Sequence, residues 1–203
     1  MVKEKYMENS VLTKCEKIVI FFLSLWVFLV FRNKINVIDN IVYLFLHSFE
    51  SDNLTSFIKI ITYLGSAYIL IPLAFISLFF IKKDNKNKYI SINLVLSFLL
   101  NQILKRVFRR TRPLFTHLVK EAGFSFPSGH AMVSFCFYGF IIYLVYKSNL
   151  KHKKIYEVLL SLLIVIIGLT RIYLGVHFFS DIVAGFGFGL LYLLIFIRKV
   201  KLK

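Results

Sequence analysis

Residues 60–81 read IITYLGSAYILIPLAFISLFFI, twenty-two residues without a charge. At about 1.5 Å per residue, a helix of that length reaches roughly 33 Å, enough to cross the hydrocarbon core of a bilayer. Shorter uncharged runs recur at Ile18–Phe31, Tyr89–Leu104, Ala131–Tyr146, Val158–Thr170 and Ile182–Ile197. The 203-residue chain is 58% hydrophobic, has a mean hydropathy of +0.74 and carries 23 phenylalanines, far more apolar surface than a soluble domain needs. The predicted fold is therefore all-α, a polytopic membrane protein with six transmembrane helices in a single domain spanning residues 1–203. The shorter runs must extend into their flanks to span, which carries Lys105, Arg171, His177 and Asp181 to membrane depth. The lysines before Ile18 resemble the start of a signal peptide, but RNKINVID after the run has no small-residue cleavage site, so a retained first span is expected.

The chain has 26 Lys and Arg against 10 Asp and Glu, a net charge of +16. Such an excess can mark a nucleic-acid partner. Here the charges punctuate apolar runs, so lipid headgroups and membrane topology account for them and no nucleic acid is expected. Lys3, Lys5, Lys14 and Lys17, then KKDNKNK, KSNLKHKK and RKVKLK all fall on one side of a six-span chain. That side, with both termini, is predicted to be cytoplasmic. NVIDNIVYLFLHSF at residues 36–49 has the apolar spacing of a helix lying in the interface after the first span. Cys15 and Cys136 are too few and too far apart for a disulfide framework or a thiolate metal site.

The opposite face carries KRVFRRTR at residues 105–112, which breaks the positive-inside pattern and asks for an anion. Lys105 and Arg112 are seven apart and would share a helix face if the third span continued to Pro113. Alone they could be a snorkelling helix end, the reading that fits Arg106, Arg109 and Arg110. In FPSGH, Pro127 and Ser128 could simply cap a helix, yet Gly129 permits close backbone approach and the first-turn N–H groups attract anions. A capping turn does not require His130. His177 and Asp181 are four apart, so the carboxylate can hold one ring nitrogen and leave the other free; a His–Asp pair at membrane depth is costly without a purpose.

Taken together, Lys105-x6-Arg112-Pro113, Pro127-Ser128-Gly129-His130 and Thr170-Arg171-x5-His177-x3-Asp181 resemble the type 2 phosphatidic acid phosphatase and haloperoxidase superfamily, in its membrane lipid phosphatase branch. The one departure is Thr170, where the family pattern has serine, and its hydroxyl can make a similar hydrogen bond. The motif-bearing core covers about residues 89–197, and FSFPSGH and RIYLGVHFFSD look like short bacterial lipid phosphatases of the phosphatidylglycerophosphatase and undecaprenyl diphosphatase kind. The resemblance implies His177 as the nucleophile, Asp181 as its orienting partner and His130 as the proton donor and acceptor. It implies Lys105, Arg112, Ser128, Gly129 and Arg171 as phosphate ligands, with Pro113, Pro127 and Thr170 in support. No metal or other cofactor is implied.

The implied reaction is metal-independent dephosphorylation of a lipid phosphate or diphosphate at the outer face of a bacterial cytoplasmic membrane, through a phosphohistidine. Phosphatidylglycerol phosphate and undecaprenyl diphosphate are the leading substrates. The second span and the segment Asp39–Phe49 are expected to line the entry of the lipid tails. Two other readings stand beside this one: a vanadate-dependent haloperoxidase-like enzyme using the same anion cradle, and a non-catalytic protein that binds anionic lipid through the outer basic loop. Gly185, Gly187 and Gly189 are read as close helix-packing positions. Glu121 and Trp26 are given no part in the chemistry.

Overall fold

The computed structural model describes residues 2–79 and 88–200. All regular structure among them is helical: α1 (Val2–Phe31), α2 (Asn36–His47), α3 (Asp52–Tyr63), α4 (Ala67–Phe79), α5 (Lys88–Phe108), α6 (Gly129–Lys147), α7 (Lys153–Tyr173) and α8 (Phe179–Val200). Five segments among the described residues are long and apolar enough to cross a membrane: Asp52–Leu78, which joins α3 to α4, and the four helices α5 to α8. A sixth is reached if Val11–Phe31 and Asn36–His47, which meet at 87°, are taken as one bent span. Most of the loop KKDNKNK and the last three residues of the tail RKVKLK lie outside the described residues.

The bundle is organised around α6, which packs against α5, α7 and α8, while α1 lies along α8 and α4 along α5. Apolar burial gives little drive between helices in lipid, so close approach and interhelical hydrogen bonds must hold them. Gly185 supplies the approach between α6 and α8, since a Cβ there would lie 3.0 Å from both the Ala131 Cβ and the Ser128 carbonyl oxygen. Hydrogen bonds supply the rest. Asn93 Nδ2 donates to the Cys136 carbonyl at 2.8 Å, joining α5 to α6, and the Tyr138 hydroxyl donates to the Leu64 carbonyl at 2.7 Å in the break between α3 and α4.

Three boundaries differ from the sequence reading. The uncharged run from Ile60 is broken at Leu64–Ser66, between α3 and α4. α5 stops at Phe108 and does not continue to Pro113. Its end is a left-handed cap: Arg109 has φ 48° and its N–H donates to the Lys105 carbonyl at 3.0 Å, leaving Arg112 on the following loop. His177 precedes α8 by two residues and sits on the turn that follows α7.

Gly175 makes that turn. Its φ of +72° lies where side chains are strained, and an added Cβ would stand 2.2 Å from the Thr116 carbonyl oxygen. Gly175→Ala is expected to destabilise the fold by at least about 1–3 kcal/mol, seen as a lower Tm for the detergent-solubilised protein. An unchanged Tm would mean that the turn relaxes freely.

Candidate active site

A cavity of about 610 Å³ opens at the end of the bundle where α6 begins and α7 ends. Its polar end is formed by Lys105, Arg112, Glu121, Gly129, His130 and His177. Its apolar side comes from α4 and α5, through residues such as Ile71, Leu94, Val95, Phe98 and Leu99. Residues of the second span, from Gly65 to Ile71, thus contribute to the cavity wall. The segment Asp39–Phe49 does not, because α2 packs against α7 and α8 instead and buries Asp39.

Each motif reaches this end by a different backbone device. Ser128 N-caps α6, its hydroxyl accepting from the Ala131 N–H at 3.5 Å, and its own N–H donates to the Asp181 carbonyl at 3.1 Å. That bond ties the Pro127–His130 turn to the start of α8, and the Phe126–Pro127 peptide before it is cis. Gly129 admits α5 closely: a Cβ there would be 3.0 Å from the Asn101 Oδ1. Pro113 is buried in the loop. The Thr170 hydroxyl donates to the Ile167 carbonyl of its own helix at 2.7 Å.

The cations are held largely by carbonyl oxygens. Lys105 Nζ donates to the carbonyls of Phe124 and Ser125. Arg112 donates to the carbonyls of Gly123, Ala122 and Val176 at 3.1, 2.9 and 2.8 Å. Arg171, almost completely buried and not among the lining residues, donates to Thr62 Oγ1 at 2.8 Å and to Glu121, while its Nε has no hydrogen-bond partner among the described residues. Ser128 is likewise buried and is not among the lining residues. Glu121 therefore has a role that the sequence reading did not give it: it is the counter-ion of Arg171 and, at 3.6 Å, of Arg112.

The ring of His177 is fixed from both sides. Nδ1 faces Asp181 Oδ2 at 3.3 Å, and that oxygen also accepts from the Ser125 hydroxyl and from the Phe178 N–H at 3.0 Å. Nε2 faces Arg112 Nη1 at 3.3 Å. A guanidinium can only donate, so Nε2 must be the acceptor and the proton belongs on Nδ1, toward the carboxylate. The lone pair of Nε2 is therefore turned toward the cation and the cavity. Burial, with the charges of Arg171 and Lys105, lowers His177 to about 4 against the opposing pull of Asp181. Burial also lowers Arg112, with Glu121 and Asp181 working the other way.

Sequence reasoning missed four partners of this site. Arg110 is not a solvated helix end: its side chain is 14% exposed and donates to Asp181 Oδ1 at 2.7 Å and to Asp39 Oδ2 at 3.1 Å. It was drawn inward by two buried carboxylates, whereas Arg106 and Arg109 are exposed. Asp39, Ser125 and Glu121 complete the set. The available signal was Asp39 itself, the one carboxylate in a largely apolar helix. Trp26 donates its Nε1 hydrogen to the Ser180 carbonyl at 3.2 Å.

The family model described as the PAP2 superfamily matches residues 88–203. This chain belongs to the PAP2 superfamily. It is 40% identical over 137 residues to phosphatidylglycerophosphatase B of Bacillus subtilis, covering 64% of this chain and 68% of the relative. It is 26% identical over 152 residues to the dolichyldiphosphatase of Saccharomyces cerevisiae, covering 70% of this chain and 63% of that protein. The crystal structure of a transmembrane PAP2-type phosphatidylglycerolphosphate phosphatase from Bacillus subtilis superposes with a TM-score of 0.85 at 31% identity, covering 93% of this chain and 97% of the other.

The sign of the His177 shift makes the protonation state of its ring testable. In the ligand-free protein, ¹⁵N NMR should show the ring neutral and protonated on Nδ1 down to about pH 5, with titration near 4. Because an unfolded histidine titrates at about 6.5, unfolding takes up a proton between the two values. His177 therefore adds stability that is complete above about 6.5 and is lost as pH falls toward 4. A ring already cationic at pH 6 would contradict both statements.

Proposed function

We propose that this PAP2 phosphatase removes the terminal phosphate of a membrane lipid by way of a phosphohistidine on His177, at the outer face of the membrane. The observation that carries the reading is the orientation of the His177 ring, with Nδ1 on Asp181 and the Nε2 lone pair turned to Arg112 and the cavity. In the first step Nε2 attacks phosphorus, the P–O bond to the leaving group breaks, and His130 gives that oxygen a proton. In the second, water attacks the phosphohistidine and gives its proton to His130, and the P–N bond breaks to release phosphate.

Phosphoryl transfer needs positioning and charge more than bond-making groups from the protein. Lys105 and Arg112 line the cavity beside the Gly129 N–H at the start of α6, and the unpartnered Nε of Arg171 stands ready behind them. The negative charge of a bound phosphate would also favour the protonated His130 that the first step requires. The residues hold the phosphoryl oxygens without a metal in this scheme.

The apolar wall from α4 and α5 supports a lipid, because it continues from the polar end of the cavity along surfaces that acyl or prenyl chains can follow. Phosphatidylglycerol phosphate is the first substrate to test, in keeping with the names of the Bacillus subtilis relatives, and undecaprenyl diphosphate is the second. The outward orientation rests on the basic connections of the opposite side.

Purified His177→Ala should lose at least about 10³-fold in kcat on phosphatidylglycerol phosphate, whereas chelation should leave the parent protein active. Unchanged turnover by that variant would end the proposal, and recovery of chelated enzyme by Mg²⁺ would end its metal-free form. Glu121→Gln removes the carboxylate that competes for Arg171 and Arg112. Inorganic phosphate should then inhibit at a roughly five- to tenfold lower concentration, an effect of the size expected for one charge-assisted contact.

A further inference from the structure

Asp39 lies on α2, within NVIDNIVYLFLH, and is 1% exposed. Its Oδ1 accepts from the Ser180 N–H at 2.7 Å, and its Oδ2 accepts from the Ser180 hydroxyl at 2.7 Å and from Arg110 Nη2 at 3.1 Å. The other nitrogen of Arg110, Nη1, donates to Asp181 Oδ1 and to Ser180 Oγ, each at 2.7 Å. Below the guanidinium lies the ring of Phe178, with 4.1 Å between Cζ and the ring centroid. One planar fork thus joins a carboxylate from an early helix to the carboxylate that holds His177. A lysine has the charge but not the fork.

Neither Asp39 nor Arg110 lines the cavity, and both Nη atoms of Arg110 are already engaged by Asp181, Ser180 and Asp39, whereas Arg171 keeps an unpartnered Nε; neither Asp39 nor Arg110 is placed to touch substrate. We propose that they are positioning residues for the phosphoryl transfer: Arg110 occupies Oδ1 of Asp181 so that Oδ2 alone meets the His177 ring, and Asp39 holds Arg110 in place while balancing its charge. This rests on the reading of His177 as nucleophile. The balance matters because an arginine paired with Asp181 alone would weaken the support that the carboxylate gives to a ring becoming cationic as it bonds phosphorus. With Asp39 present, the group Asp39, Arg110 and Asp181 keeps one net negative charge. A pair that merely joined α2 to α8 would have no reason to share the carboxylate that faces the ring.

Burial, Asp181 on α8, Arg171 on α7 and Lys105 on α5 set the titration of His177. Also facing the ring or its carboxylate partner are Arg112 and Arg110 on the 109–128 loop and His130 on α6, with Asp39 on α2 paired to Arg110 and Glu121 on the loop paired to Arg171 and Arg112. Changing Arg110 or Asp39 alone leaves the others in place, so the two removals have opposite signs. Removing the cation strengthens the hold of Asp181 on a protonated ring. Removing the distant carboxylate weakens it.

The experiment uses the full chain in detergent, with ¹⁵N-histidine NMR of the ligand-free protein and kinetics on phosphatidylglycerol phosphate. Arg110→Gln should raise the His177 midpoint by roughly half a unit to one unit, within the range over which a neighbouring charge acts, and lower kcat about tenfold with KM held within about twofold. Asp39→Asn should move the midpoint the other way and also lower kcat. The double variant removes both charges, which spares the fold an unpaired buried ion, and should return the midpoint close to the parent value while kcat stays low. Arg110→Lys should keep the parent midpoint and recover only part of kcat. Midpoints that stay put in both single variants, activity that falls only with the folded fraction, or parent-like kcat in the double variant would each overturn the proposal. His177→Ala separates the two levels: an inactive variant leaves the relay to be judged by the midpoints, and an active one removes the nucleophile on which it rests.

Discussion

Four cations, Lys105, Arg110, Arg112 and Arg171, are gathered at one end of a helical bundle, and three carboxylates, Asp39, Glu121 and Asp181, face them. With His130 and His177 neutral, four positive and three negative charges leave an excess of one positive charge. Ions withdrawn from water are expensive unless paired and hydrogen-bonded. The fold meets that cost with backbone oxygens: the 109–128 loop and the turn after α7 turn carbonyls toward Lys105 and Arg112. That leaves one positive charge in excess and the Nε of Arg171 without a hydrogen-bond partner among the described residues, the two features on which the proposed phosphate binding draws.

The same constraint explains why the loop between α5 and α6 has no regular structure over twenty residues, 109–128, and yet buries Pro113 and Ser125–Ser128. Each carbonyl that turns toward a cation is one that cannot join a helix ladder. The loop is held instead by scattered bonds, among them Ser125 N–H to the Arg110 carbonyl at 2.8 Å and Leu118 N–H to the Leu174 carbonyl at 3.1 Å. The left-handed cap at Arg109 frees the chain from α5 early enough to deliver Arg110 to Asp181 and Arg112 to His177. A helix continued to Pro113 would place neither by the same route.

The apolar runs made the helical membrane class legible, because long uncharged segments have few other uses. The three motifs were legible too, since their residue types serve one chemistry and their spacings survive in the turns that carry them. Long-range pairing was not legible. Arg110 looks like its solvated neighbours Arg106 and Arg109 in KRVFRRTR, and only the arrival of Asp39 and Asp181 from elsewhere in the chain separates it from them. Amphipathic spacing suggested that α2 should face a lipid surface, which is consistent with its exposed Val37, Ile41 and Leu44, but spacing does not say that Asp39 is buried on its opposite side. Ser128 shows another limit. The same hydroxyl can cap a helix or bind an anion, and its hydrogen bond to Ala131 illustrates the capping use.

The placement of Asp39 also gives α2 a reason to lie across the bundle at 87° to α1. A continuous helix through residues 31–47 would carry its carboxylate along the direction of α1 and away from α8. The turn after Phe31, with Asn33 at φ 57°, brings α2 across α7 and α8 so that Asp39 can accept both the N–H and the hydroxyl of Ser180. Those two bonds fill the first turn of α8 beside Asp181, where the helix has N–H groups to spare. The early part of the chain therefore completes a site whose recognisable motifs all lie beyond residue 100, and it does so through one buried carboxylate. A contact of the carboxylate that faces His177 can therefore lie outside any reading confined to the motifs.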